Sequence, residues 1–260
     1  MSTSLRLVVI FLIICSFKHS FSEHPDFYFV QITDTHWGDG NNLRRTADAI
    51  KAINKLPFPI EFVIHTGDVT SNQTDNHQLL DSGLAVMKTC KFPVYYIPGN
   101  NDIRDNCFKK DSAAFISYFG NFNRRVDTKK FSMILLFNLE IISKDSCIYE
   151  PLDVLDSLLK SKPSDLPAFV FQHCPTTEDF YSNKVHPGWP LEKLTRFQNI
   201  CENNNVKAII TGHFHRDEFH MIGNIPLFVA SPISKALGRQ PSFRVYRHEN
   251  GKTHYTSVYY

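Results

Sequence analysis

The chain has 260 residues, 42% of them hydrophobic and 21% charged, with a formal net charge of +2. That length and apolar fraction support one globular domain with a substantial core, and no low-complexity tract interrupts it. A charge so near balance excludes a polybasic nucleic-acid coat or a membrane protein held by charge.

The first 22 residues stand apart. Arg6 precedes the apolar run Leu7–Phe17, and Ser20 and Ser22 occupy the −3 and −1 positions of a cleavage site. This is the pattern of a signal peptide over residues 1–22, followed by a domain over 23–260, and the run is short for a membrane span. An uncleaved anchor is the alternative, and bulky Ile14 before Cys15 argues against a lipoprotein. Removing Arg6 and Lys18 leaves 26 basic and 26 acidic residues. The expected location is secreted or periplasmic, or the secretory pathway in a eukaryote, with no stable membrane span after cleavage. Cys90, Cys107, Cys147, Cys174 and Cys201 remain, an odd number that leaves at least one thiol free or paired between chains. Asn72-Gln73-Thr74 is a glycosylation sequon.

Strand-like and helix-like segments then alternate. Phe27–Ile32, Phe62–Ile64 and Phe92–Ile97 read as strands, separated by helices over Asn41–Leu56 and Asp75–Lys88, whose apolar residues recur at helical spacing. Phe131–Leu139 reads as a buried strand, Pro151–Lys160 as a helix, Ala168–Gln172 as a strand, Leu191–Asn203 as a helix and Ala208–Ile210 as a strand. Beyond it Glu218–Ile222, Pro226–Ala230 and Ser242–Arg247 follow without helices, and Asn250-Gly251 signals a hairpin into His254–Tyr260. The pattern predicts a layered α/β domain.

Polar residues collect where strands stop. Asp34 and His36 follow the first strand, Asp68 the second, and Asn100 and Asp102 the third. His173 follows Ala168–Gln172, and His213 and His215 follow Ala208–Ile210. In open α/β sheets ligands bind beyond the carboxyl ends of strands, so these positions converge on one edge. Singly, each is explained by a turn or a half-buried histidine. Together they are metal chemistry, because imidazole and carboxylate without thiolate suit Mn, Fe or Zn. Seven donors exceed one tetrahedral ion and suit two ions sharing a carboxylate, ~3.5–4 Å apart.

These motifs resemble the calcineurin-like metallophosphoesterases. Their pattern of DxH, GD, GNH(D/E), a lone His and GHxH is matched by Asp34-Thr35-His36, Gly67-Asp68, Gly99-Asn100-Asn101-Asp102, His173 and Gly212-His213-Phe214-His215. The resemblance implies a single-domain, four-layer α/β/β/α sandwich. It implies a first metal ion on Asp34, His36, Asp68 and His215, and a second on Asn100, His173 and His213 with Asp68 bridging. A hydroxide between two divalent or trivalent ions would then attack phosphorus in line. The wording looks most like the cyclic-nucleotide and glycerophosphodiester phosphodiesterase branch. That favours a phosphodiester over a phosphomonoester, on a small molecule or lipid headgroup. Purple acid phosphatases would have a ligating Tyr where Ser71 stands.

Position 101 departs from the pattern, with Asn101 where the family has histidine. An amide donates a hydrogen bond to a phosphoryl oxygen but releases no proton, and Asp102 loses an imidazole to orient. Asn101 and Asp102 are therefore the candidate catalytic pair, with the leaving-group proton in question. His65, His77, Glu178, His186 and His220 lie near motifs as substitutes. The alternative is a non-catalytic binding or scaffold protein on the same fold. The irregular Cys174–Pro190 segment, with Tyr181, His186 and Trp189, is a possible pocket wall.

Overall fold

The computed structural model describes residues 26–142, 147–178, 188–235 and 240–260. The predicted signal peptide and most of the predicted pocket wall, including Tyr181 and His186, lie outside the described residues. Two mixed sheets stack face to face. The first has the order β13-β12-β1-β2-β3, built from Lys252–Tyr259, Ser242–Glu249, Phe27–Ile32, Ile60–Thr66 and Val94–Ile97. The second runs β10-β11-β9-β8-β5-β4, from Glu218–Ile222, Ile225–Val229, Val206–Thr211, Ala168–Phe171, Ser132–Leu135 and Arg124–Asp127.

The two-residue period of the strands builds the layers. Phe27, Phe29, Phe62 and Ile64 point inward and meet Phe169, Phe171, Ala208 and Ile210 of the facing sheet. Val30, Ile32 and Val63 point outward into a cluster with helices α1 (Asn42–Ile53), α2 (His77–Met87) and α3 (Phe108–Phe119). On the far side Val170 and Ile209 pack with α4 (Pro151–Lys160) and α5 (Leu191–Asn203). The α/β/β/α order expected from the sequence is therefore the architecture. Among the described residues no helix is long and apolar enough to cross a membrane.

Most predicted elements keep their place with ends moved by a few residues, while one strand shortens and α3, β4 and a short strand pair are additional. Only Ser132–Leu135 of the apolar run Phe131–Leu139 pairs as a strand. α3 and β4 had no signal strong enough to read. After Phe108 the first turn of α3 is charged, and its buried residues are Asp111, Ser112, Phe115 and Phe119. Asp111 is held there by two Arg104 side-chain donors, each at 2.8 Å. The short pair β6 (Ile141–Ile142) and β7 (Cys147–Tyr149) is likewise new. Asn250 and Gly251 both take positive φ, as a tight hairpin between right-twisted strands requires. Cys90, Cys107, Cys174 and Cys201 are free thiols.

β1, β2 and β3 run parallel in one sheet, and β5, β8 and β9 in the other. Their carboxyl ends meet over Gln31. Its amide donates to Thr66 Oγ1 and to the Thr211 carbonyl, both at 2.8 Å, and accepts from Tyr246 Oη at 2.8 Å. This buried side chain ties together the strand ends that carry Asp68 and His213.

Candidate metal centre

The backbone of the strand ends is unusual. Asp34, His36, Asp68, His213 and His215 all have φ between 45° and 72°, a left-handed region that costs a non-glycine residue about 1 kcal/mol or more. Strain of that kind clusters at functional sites, where surrounding structure holds it. The adjacent glycines leave room for the donors. A Cβ on Gly99 would stand 2.1 Å from Asp68 Oδ1, and one on Gly212 would stand 2.6 Å from Asp34 Oδ2.

Seven predicted donors converge in two groups. In the first, His215 Nε2 lies 3.1 Å from Asp34 Oδ1 and 3.2 Å from His36 Nε2, which is 3.7 Å from Asp68 Oδ2. In the second, His173 Nε2 lies 3.2 Å from both Asn100 Oδ1 and His213 Nδ1, and 3.4 Å from Asp68 Oδ1. Asp68 thus turns one oxygen to each group. Donors sharing an ion at about 2.0–2.2 Å stand roughly 3.0–3.5 Å apart, which is this spacing.

The partners behind the donors decide what each has free. His173 Nδ1 donates to the Thr66 carbonyl at 2.7 Å, so Nε2 is the nitrogen that faces the site and that a cation would take over from a proton. Ser71 donates to Asp39, so His36 Nδ1 donates to Ser71 Oγ at 3.2 Å and its Nε2 likewise faces the site. Asp34 Oδ2 accepts from Thr33 Oγ1 at 2.7 Å and from the His213 amide at 3.1 Å. Asp34 Oδ1, buried, faces the imidazoles of His215 at 3.1 Å and His36 at 4.0 Å. A buried carboxylate oxygen set against imidazoles, and two pairs of facing imidazole nitrogens, are what a cation between them resolves. The donor set fits two ions.

Electrostatics agree. Burial pushes Asp34 upward, but the His215 contact and neighbouring imidazoles outweigh it and hold the carboxyl well below its usual range. Burial works against a charged His173, yet Asp68, Asp34 and the Thr66 carbonyl raise it to about 9. The same opposition, with Asp34 the winning partner, raises His215. The pocket recruits positive charge even from protons.

Asn101 and Asp102 have different surroundings. Asn101, half-buried, donates its backbone N–H to Asp68 Oδ1 at 2.9 Å and its side-chain N–H to Asp68 Oδ2 at 2.6 Å. Its own oxygen accepts from Asn72 at 3.0 Å. Asp102 is buried beneath the loops, accepting from the amides of Val69, Thr70 and Gly99, each at 2.9 Å. Burial and the Asp68 charge raise its carboxyl to about 7.

Three of the candidate substitutes for an acid, His65, His77 and His220, lie elsewhere, and His186 falls outside the described residues. His65 is buried behind the loops, with Nε2 2.9 Å from Thr35 Oγ1 and Nδ1 accepting from the Gly67 amide at 3.3 Å. Burial depresses it to about 3, so it is neutral. His77 stacks on Tyr118 at the start of α2, and His220 bonds Glu218 at 2.8 Å on β10. Trp189 packs edge-on against Phe197 of α5, as part of the core cluster there. Sequence reasoning did not find Thr33, Asp39, Thr66 or Asn72 as supporting groups. Each sits within six residues of a motif, but serine, threonine and asparagine there look like turn chemistry.

The calcineurin-like phosphoesterase family profile matches residues 27–217, most of the chain. Among similar proteins, the mouse Serine/threonine-protein phosphatase CPPED1 is 26% identical over 247 residues, covering 82% of this chain and 77% of the relative. The 3',5'-cyclic adenosine monophosphate phosphodiesterase CpdA of Haemophilus influenzae is 23% identical over 216 residues, covering 75% and 72%. A dimetal phosphatase structure from Danio rerio superposes with a TM-score of 0.57 at 13% identity, covering 90% of this chain and 99% of that one. The profile match across the motif-bearing strands, on a site of this geometry, makes the chain a member of the calcineurin-like phosphoesterase family.

Proposed function

We propose that this chain is an exported, dinuclear metal-dependent hydrolase of phosphoesters, acting on phosphodiesters in preference to phosphomonoesters. The observation that carries the reading is the sharing of Asp68 between two groups of free donors, all at the carboxyl ends of parallel strands. Asp34, His36, Asp68 and His215 would hold one ion, and Asp68, Asn100, His173 and His213 the other. Two ions bound there supply Lewis acidity to the phosphoryl oxygens and lower the pKa of water.

The chain's own groups set up that chemistry. Thr66 and Ser71 fix the tautomers of His173 and His36, keeping Nε2 of each on the site. Asn101 holds Asp68 through both oxygens, so the shared carboxylate cannot rotate away from either group. Asp102 binds the two loops that carry Asp68 and Asn100 to one another. At position 101 no side chain can release a proton, so the site suits esters whose leaving group needs little protonation. Both curated relatives are named for phosphoester hydrolysis, one of a protein and one of a cyclic diester. A cleft continuing past His36 and His215 leaves room for a second ester arm, which favours a diester.

The test is metal analysis of the purified protein together with rates on bis(p-nitrophenyl) phosphate and p-nitrophenyl phosphate. About two ions per chain and faster diester turnover, lost on chelation, are expected. Protein that takes up no Mn, Fe or Zn would remove the proposal. Turnover of neither ester by metal-loaded protein would favour a binding or scaffold role. Export rests on the apolar run Leu7–Phe17, and mass spectrometry of the mature N-terminus tests it.

A further inference from the structure

Beside the first donor group lies a cleft of about 330 Å³, lined by His36, Asp39, Asn41, His215, Ser234 and Lys235. Its walls are fixed by backbone hydrogen bonds. Ile233 N–H donates to the Thr33 carbonyl at 3.0 Å, and Ser234 N–H to the Asp34 carbonyl at 3.2 Å. Lys235 N–H donates to Asn42 Oδ1 at 3.3 Å, and Asn42 in turn donates to the His36 carbonyl at 3.1 Å. The cleft is therefore built from the same backbone that carries the metal donors.

Two independent features of this cleft ask for a ligand. Ser234 is 3% exposed, yet its hydroxyl has no hydrogen-bond partner among the described residues. A buried hydroxyl left unpaired carries its full desolvation cost, and a ligand in the cleft would relieve it. The second feature is the start of α1. Asn41, at its N-cap, does not cap the helix and accepts from Arg45 Nε at 3.1 Å instead. The first turn has no acidic residue; Arg44 and Arg45 stand there, opposed by the helix dipole. An anion at that end suits the positive end of the helix dipole and the two guanidinium groups together.

Charge extends the same way. A second hollow, of about 510 Å³, shares Asn41 with the first and is lined by Arg44, Arg45, Asp48 and Tyr260. The acidic neighbours are already engaged. Asp39 accepts from Ser71, and Asp48 lies 4.0 Å from Arg44. Lys235, Arg44 and Arg45 thus outnumber the two carboxylates around a trough that begins at the metal donors.

We propose that Ser234, Lys235 and the Arg44-bearing start of α1 form an anion subsite that receives a second phosphate, carried on the substrate arm pointing away from the metal donors. This rests on the hydrolase reading above. A guanidinium fork at the positive end of a helix, with an ammonium beside it, matches the oxygens of a phosphate better than an uncharged polyol.

A matched pair of p-nitrophenyl phosphodiesters tests it, the second alcohol being ethylene glycol in one and ethylene glycol monophosphate in the other. Both release p-nitrophenol, so chemistry at the scissile bond is common to them. The metal-loaded enzyme should show a KM about tenfold lower for the phosphorylated ester. Arg44→Glu and Lys235→Glu should each abolish that ratio, and Ser234→Ala should reduce it. Calorimetry with the two corresponding methylphosphonate monoesters supplies a readout free of turnover. Equal KM and equal affinity for the pair, or variants that weaken both members alike, would overturn the subsite. If neither ester is cleaved while the phosphonates still bind in the expected order, the hydrolase reading falls and the subsite stands.

Discussion

Asn101 grips Asp68 with two donors, its backbone N–H at 2.9 Å from Oδ1 and its side-chain N–H at 2.6 Å from Oδ2. The residue that departs from the family pattern is thereby the one that holds the shared carboxylate. An imidazole at 101 would offer a proton but could not reproduce this amide grip in the same way.

Asn101→Ala should lower metal affinity or activity by about 10–100-fold, the usual cost of losing a group that orients a ligand. Asn101→His should gain most on alkyl esters with poor leaving groups, where a general acid is worth up to about 10²–10⁴-fold. The dependence of rate on leaving-group pKa separates the two. A slope unchanged by Asn101→His would count against proton supply as the limitation.

Metal uptake should release protons at neutral pH. In the metal-free protein His173 is raised to about 9, so at pH 7 its Nε2 lone pair is taken by a proton. Binding must displace that proton, and affinity should climb as pH rises towards 9. Calorimetric titration of Zn or Mn in buffers of different ionisation enthalpy measures the release. A buffer-independent heat would sink the idea.

His65 should make the fold acid-sensitive. The folded state holds it neutral down to about pH 3, while the unfolded chain binds a proton below its ordinary value of 6.5. The unfolded state therefore binds more protons between those limits, and stability falls as pH falls from 6.5 towards 3. The slope contributed is about 1.4 kcal/mol per pH unit. In urea unfolding at several pH values, His65→Gln should be less stable at pH 7 yet flatter on the acid side. An equally steep acid limb in the variant would exclude His65 as its source.

Asp102→Asn should destabilise the protein without touching a metal donor. The carboxylate accepts from Val69, Thr70 and Gly99, and an amide can accept at one oxygen only. Hydrogen bonds to a charged group are worth about 1.5–3 kcal/mol, so a loss near that size is expected in unfolding by urea above pH 7, where the carboxyl is ionised. A neutral substitution would mean that the loops hold without it.

Much was legible before any coordinates. β1, β2 and β8 are short, nearly continuous apolar runs, α1 and α4 carry helical spacing, and the donor residues follow strands at once. Those are local properties, fixed by residue type and order, and the layered fold and the seven candidate donors came from them. α3 escaped because its buried face includes Asp111, which is buried only because Arg104 reaches it. The supporting contacts escaped for the same reason. Ser71 and Thr66 mean nothing until the chain brings them to His36 and His173, 35 and 107 residues away.

Residue order by itself determined which chemistry this protein has: imidazole, carboxylate and amide donors, delivered at strand ends of an α/β chain. Only the tertiary structure decided how they are shared. It set Asp68 between the two groups, gave Asn101 the grip on it, and brought His215 against Asp34 Oδ1. Those outcomes depend on backbone turns with positive φ and on contacts between distant segments, and neither is a property of any short stretch of sequence.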